Sequence, residues 1–181
     1  MPTFGGLYGV SIGQTFLRNL AAVSVLDDTN ANSPFESNKD TITVQSNTLY
    51  GFEALVLNSG MGATSRATSF SIAGTAVISE IAYQSMHVGV SSASSSQAAQ
   101  TTKITVSAAS TQLASASTLA AENIKLSGII EVAAGGTLIP KITHSASSQG
   151  NAALFYQCDP NSYFSIWPIM ANTAGSVGGV S

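Results

Sequence analysis

Apolar and polar side chains alternate along this chain in short runs, and each run ends in a cluster of turn residues. Thr41-Ile42-Thr43-Val44-Gln45 and Lys103-Ile104-Thr105-Val106-Ser107 repeat with a period of two, the pattern of a half-buried strand. Leu20–Leu26 is a short apolar run that stops at Asp27-Asp28-Thr29-Asn30. Leu49–Asn58 is long enough to cross a sheet, with Tyr50 and Phe52 in phase and facing inward, and it ends at the two-glycine turn Gly60-Met61-Gly62. Thr68–Val90 alternates through Phe70, Ile72, Ala76 and Ile78, with Gly74 marking a bulge or bend. Glu122–Ala134 carries Ile124 and Leu126, then Ile129, Ile130 and Val132 offset by Gly128, and Gly135-Gly136 is expected to turn a hairpin towards Leu138. Thr137–Ser145, Ala153–Gln157 and Tyr163–Met170 complete the set.

Between these runs, 91–100 (SSASSSQAAQ) is low in complexity and is expected to be a mobile loop. The Ala-rich stretch 108–121 has helix propensity, but its many Ser and Thr residues compete for the backbone, and an exposed connection is expected. Some eight to nine strands without an intervening helical period disfavour a βαβ fold. The pattern predicts an all-β antiparallel sandwich or jelly roll over 19–172. It is flanked by an extended N-terminal arm, 1–18, and a small-residue tail, 173–181. The arm is glycine-rich and aperiodic, so Phe4, Tyr8 and Phe16 are expected to dock either on their own domain or on a partner.

Composition changes the picture in one respect. Only 8% of the 181 residues are charged, against about 25% in an ordinary soluble domain, while Ser and Thr supply roughly a quarter. A hydroxyl-rich, charge-poor surface suits a protein held in a fixed assembly. Six Lys and Arg spread singly, with a net charge of −3, argue against binding nucleic acid through its phosphates. The early sequence does not read as a secretory signal, and no stretch approaches the ~20 apolar residues of a membrane span, so neither export nor membrane insertion is expected.

Candidate chemistry is sparse. Glu53, Glu80, Glu122 and Glu131 lie in or beside strands without a pattern to single out an acid pair, and Asp27-Asp28 sits in a turn. His87, His144 and Cys158 lack the short spacings of a metal site, so no metal or other cofactor is expected, and the lone Cys158 is read as a buried, inert thiol. There is no G-x-S-x-G elbow and no phosphate loop, so the chain is read as non-enzymatic. Tyr163 and Trp167 share one parity, opposite Phe164 and Ile166; they mark core or a subunit interface, or, if outward, a partner or glycan surface.

Two segments go beyond composition. NTLYGFEALVLNSG and FSIAGTAVISEIAYQ, followed later by AENIKLSGIIEVAAGGTLIPKITHSAS and NSYFSIWPI, occur in an order that resembles a domain of tailed-bacteriophage virion structural proteins. The resemblance runs over roughly 40–170 and rests on Leu49, Tyr50, Phe52 and Glu53, on Gly74, Thr75, Ala76 and Tyr83, on Gly128, Ile129, Gly136, Thr137, Ile139 and Pro140, and on Ser162, Tyr163, Phe164 and Pro168. It implies a jelly-roll module, commonly a homotrimer, and no catalytic residue accompanies it. The chain departs from fibre proteins in lacking a long shaft. The resemblance therefore points to a capsid decoration or cement protein on the virion, bound to the major capsid protein through the arm. A short fibre contacting a host surface glycan, with loops such as 91–100 or 149–153 at its tip, is the alternative.

Overall fold

In a computed structural model, residues 14–26, 29–37, 39–61, 65–90, 95–105, 111–113, 117–118, 120–146 and 155–171 are described. Their strands are β1 (Thr15–Arg18), β2 (Val23–Leu26), β3 (Ile42–Val44), β4 (Thr48–Ser59), β5 (Ser65–Arg66), β6 (Thr68–Ala73) and β7 (Val77–Val90). They continue with β8 (Ser95–Thr105), β9 (Thr111–Gln112), β10 (Ser117–Thr118), β11 (Ala121–Ala134), β12 (Gly136–His144), β13 (Phe155–Cys158) and β14 (Tyr163–Ala171). The fold is all-β and antiparallel, in a sandwich-like arrangement.

The larger layer is an eight-stranded sheet in the order β1-β14-β4-β11-β7-β8, with β2 and β13 attached where β13 meets the end of β4. The smaller layer is β3-β12-β6-β9, and β5 pairs with β10 as a two-stranded ribbon. Alternation decides which face of each strand is buried. Along β4 the inward set is Tyr50, Phe52, Ala54 and Val56; along β11 it is Ile124, Leu126, Ile130 and Val132. Ile42, Val44, Phe70, Ile72, Leu138 and Ile142 meet them from the smaller sheet. Phe52 stacks on Phe164 at 5.6 Å and on Phe70 of the facing layer at 6.4 Å, while Tyr83 packs edge-on to both Phe52 and Phe70. Each such side chain removed from water contributes about 1.5–3 kcal/mol, before ordering costs.

Several expectations change. The segment 15–18, read as part of the arm, is a strand: Thr15–Arg18 pairs with Ile166–Tyr163 of β14. The Ser/Ala/Gln run expected to be a loop forms much of β8, which pairs with β7 from Val90↔Ser95 onward. Backbone hydrogen bonds to a neighbour can hold a strand whose side chains carry no apolar signal. Gly135 does not turn a hairpin, because β11 and β12 lie in different sheets and the chain passes from one layer to the other there. The chain also changes layer at Gly74, whose φ of +121° admits only glycine easily and which lies against the Thr137 carbonyl. The Ala-rich stretch is not wholly exposed, since Thr111 of β9 and Leu113 are buried.

Candidate functional site

Two regions depart from the usual rule of apolar inside and polar outside. The first is interior. Glu122 alternates in phase with Ile124 and Leu126, so its side chain must enter the core, where it is fully buried. In register, Glu122 lies beside Asn58 of β4, and across the sandwich His144 of β12 lies beside Thr68 of β6. The two pairs meet in the core. Glu122 Oε1 accepts hydrogen bonds from Asn58 Nδ2 (2.9 Å) and His144 Nε2 (3.1 Å); Oε2 accepts from Thr68 Oγ1 (2.7 Å) and His87 Nε2 (2.8 Å). An ionised carboxylate only accepts, so the Nε2 of both rings carries a proton.

Burial pushes the Glu122 carboxyl up, but hydrogen bonds from His144 and His87, the attraction of His144 and the Thr68 hydroxyl outweigh it and hold the group far below the usual carboxylate range. His144 packs edge-on to Tyr156 at 4.9 Å. The buried Arg66 guanidinium lies 5.9 Å from the same ring centre and donates from Nη2 to the Met61 carbonyl. The cluster has the composition of an acid–base site, but Glu122, His87 and His144 are each at most 4% exposed in their side chains. Sealed in this way, it offers no atom to a substrate. It pins β4, β6, β7, β11 and β12 at one level of the sandwich.

Cys158 is buried opposite Asn58 in the β13–β4 register; burial chiefly, with the neighbouring Asp159 charge, pushes its thiol up to about 11, against hydrogen bonds from Ser162, Leu57 and Asn19. Among the described residues, no group of three His, Cys, Asp or Glu is arranged to hold a metal ion. Among the described residues, no helix is long and apolar enough to cross a membrane.

The second region is the outward face of the eight-stranded sheet. Cross-strand register places Phe16, Ser165, Glu53, Ser127 and Gln84 in one row across five strands. The adjoining row is Arg18, Tyr163, Leu55, Lys125 and Met86; the row on the other side includes Trp167, Gly51, Ile129 and Ala82. Phe16 is 50% exposed, Met86 49% and Ile129 38%. Phe16 stacks on Tyr163 at 5.3 Å, and Gln14 donates to the Ser165 hydroxyl at the same edge. The Trp167 indole lies flat over Gly51, where a Cβ would come within 2.7 Å of it. A hollow of about 250 Å³ opens on this face, lined by Glu53, Gln84, Ser85, Met86, Lys125 and Ser127. The outward face of the smaller sheet is richer in hydroxyls: Thr41, Thr43, Ser69, Ser71, Thr137 and Thr143 stand there, with Ile139 and Lys141 among them.

Of the residues expected to dock, Phe16 stands at the edge of this apolar face, while Phe4 and Tyr8 lie outside the described residues, as does 149–153. Tyr50 and Phe52 face inward as expected. Phe164 and Ile166 are the buried set of β14, so Tyr163 and Trp167 are the outward one, each only partly covered. No protein-family model matches the chain, and no curated protein matches it.

Proposed function

We propose that this chain is a structural protein of a bacteriophage virion, a decoration or cement protein that binds the major capsid protein and stabilises the head shell as a homotrimer. The observation that carries the reading is the contrast between the two outward faces. One is the richer in hydroxyls and suits solvent; the other exposes Phe16, Met86 and Ile129 beside Tyr163, Trp167 and Leu55 and suits protein. The small charged fraction, 8%, fits a subunit whose solubility alone matters little once assembled. The order of the sequence words that resemble phage structural domains, and the all-β sandwich they imply, point the same way. The one acid–base grouping described above is sealed, so it supplies no competing enzymatic reading.

In this mechanism the trimer sits where three capsid subunits meet, because a three-fold oligomer matches a local three-fold axis. In this reading the N-terminal arm, with Phe4 and Tyr8, docks on the shell. The test is co-sedimentation of the purified protein with capsids that lack it. Deletion should stop at residue 13, since Thr15–Arg18 is part of the sheet. Stoichiometric binding by the full chain, lost on deleting 1–13 with the fold intact, is expected. Undiminished binding by the deletion variant overturns the arm mechanism. A full chain that ignores capsids and is retained on host cells moves the protein to the fibre class, with a host glycan as partner.

A further inference from the structure

We propose that in the free subunit the chain's own residues 8–13 lie across the outward face of the eight-stranded sheet, along the row Trp167, Gly51, Ile129 and Ala82. The inference concerns a single subunit and goes beyond the virion reading, which gives the same arm a seat on the shell. Its first support is where the described chain begins. Thr15 pairs with Ile166, and Gln14, one residue earlier, donates from its side chain to the outward Ser165 hydroxyl. The segment 1–13 is therefore tethered at the β1 edge, at the head of this row. From β14 to β7 the row is wholly apolar, with the Trp167 indole lying over Gly51 and Ile129 exposed. Polar rows flank it: Ser165, Glu53, Ser127 and Gln84 on one side, Glu131 opposite Glu80 on the other.

The segment fits the row in pattern, length and charge. Tyr8, Val10 and Ile12 occupy alternate positions, and Gly9, Ser11 and Gly13 lie between and after them. Extended chain sends alternate side chains to opposite sides, so one side of the segment is apolar and the other is small. Six residues separate Gln14 from Tyr8, about 20 Å of extended chain, and four strand spacings separate β1 from β7, about 19 Å. Ile12 then lies over Trp167 and Gly51, Val10 over Ile129, and Tyr8 over Ala82. Gly13 supplies the backbone freedom to turn from the strand direction into this crossing. Residues 1–13 carry no charge, so the crossing takes no ionised group of its own out of water. The tether selects this occupant over a free one, because a segment joined so closely to the face meets it at an effective concentration of the order of millimolar. When the arm docks on the shell it uncovers the row, so arm and face become available together, on the capsid and not before.

Trp167 is the only tryptophan of the chain, so its emission reports on the row directly. The experiment reads emission wavelength and acrylamide quenching of the full chain at several concentrations, with light scattering and circular dichroism alongside. It compares wild type, Val10→Asp with Ile12→Asp, and Ser11→Asp. Expected are a longer wavelength and severalfold stronger quenching in the double variant, and neither in Ser11→Asp, at every concentration. Val10→Cys with Ile129→Cys should in addition form a disulfide within one chain on oxidation, since the native Cys158 is buried. Equal emission and quenching in wild type and the double variant overturn the proposal. Protection of Trp167 that grows with concentration and mass, or a disulfide found only between chains, makes a second copy the cover and overturns it too. A wavelength shift without the disulfide leaves the segment along the β14 edge and not across the face, which is equally fatal. Should Ile129→Cys not fold, the aspartate variants decide. Capsid binding enters none of these readouts, so this proposal and the virion reading fail separately.

Discussion

The Glu122 cluster and the outward face of the large sheet are both exceptions to the rule that sorts side chains by polarity, yet they differ in who resolves them. Inside, four donors from four strands converge on one carboxylate, and the chain meets the need of that group with its own residues. Outside, Phe16, Met86 and Ile129 stand in water, and nothing described in the chain covers them. An exception settled within the molecule is architecture, because deleting any part leaves a buried group unpaired. An exception left open points outward, to something the molecule meets. By this criterion the histidines and the acid, which carry the more suggestive chemistry, belong to the scaffold. The plainer apolar residues are the ones the described chain leaves uncovered.

The comparison breaks most readily at Glu122. Glu122→Ala leaves His87, His144, Asn58 and Thr68 facing a void and is expected to cost about 3–5 kcal/mol, read as a fall in the denaturation midpoint. If that variant is as stable as wild type, the cluster is not scaffold. Acid should act on the same group. The folded carboxyl is held below its ordinary 4.5, so its stabilisation is complete above that value and is lost as pH falls through the acid range towards the folded pKa. Denaturation measured between pH 6 and 3 should show the loss in wild type and a flatter profile in Glu122→Gln. A smaller expected effect, about 0.5 kcal/mol or less, separates the faces: Met86→Glu should leave the stability of the subunit itself unchanged while altering its association. Thr43→Glu on the hydroxyl face should change neither association nor stability. A loss of association from Thr43→Glu would erase the distinction between the two faces. Smallest of all, Cys158 should stay unlabelled by alkylating reagents at pH 8 until the chain is unfolded, because its thiol is buried and pushed up to about 11.

How much of this was legible in advance depends on whether a signal was local. The inward phase of Tyr50 and Phe52 followed from alternation alone. The phase of Glu122 with Ile124 and Leu126 was equally visible, as was that of His144 with Leu138 and Ile142, and each could have been read as pointing into the core. Their meeting could not, since it depends on two registers in opposite sheets, Glu122 beside Asn58 and Thr68 beside His144. The first part of β8, 95–100, was missed for a related reason, although Lys103–Thr105 at its end was read as strand: its pairing with β7 is a backbone property, and Ser, Ala and Gln do not advertise it. Gly135 and Gly136 were read as a hairpin turn, and they mark instead the end of β11, where the chain crosses to the facing sheet. Whether a turn returns the chain to its own sheet or carries it to the facing one is decided by what the next strand pairs with. The apolar outward face was hidden likewise, because Phe16, Leu55, Met86 and Trp167 come from four strands scattered along the chain.

The pairing of β1 with β14 also bears on how the protein is made. Gln14 and Ser165, joined by a hydrogen bond at the sheet edge, are 151 positions apart. During synthesis β1 therefore waits, with one flank of β4 also open, until β14 has left the ribosome. Long-range pairing of this kind is slow to form and leaves sticky intermediates while it does so. The nascent chain thus cannot present its N-terminal strand in finished form until β14 arrives. That order of events makes the arrival of β14 the step that closes the β1 end of the large sheet.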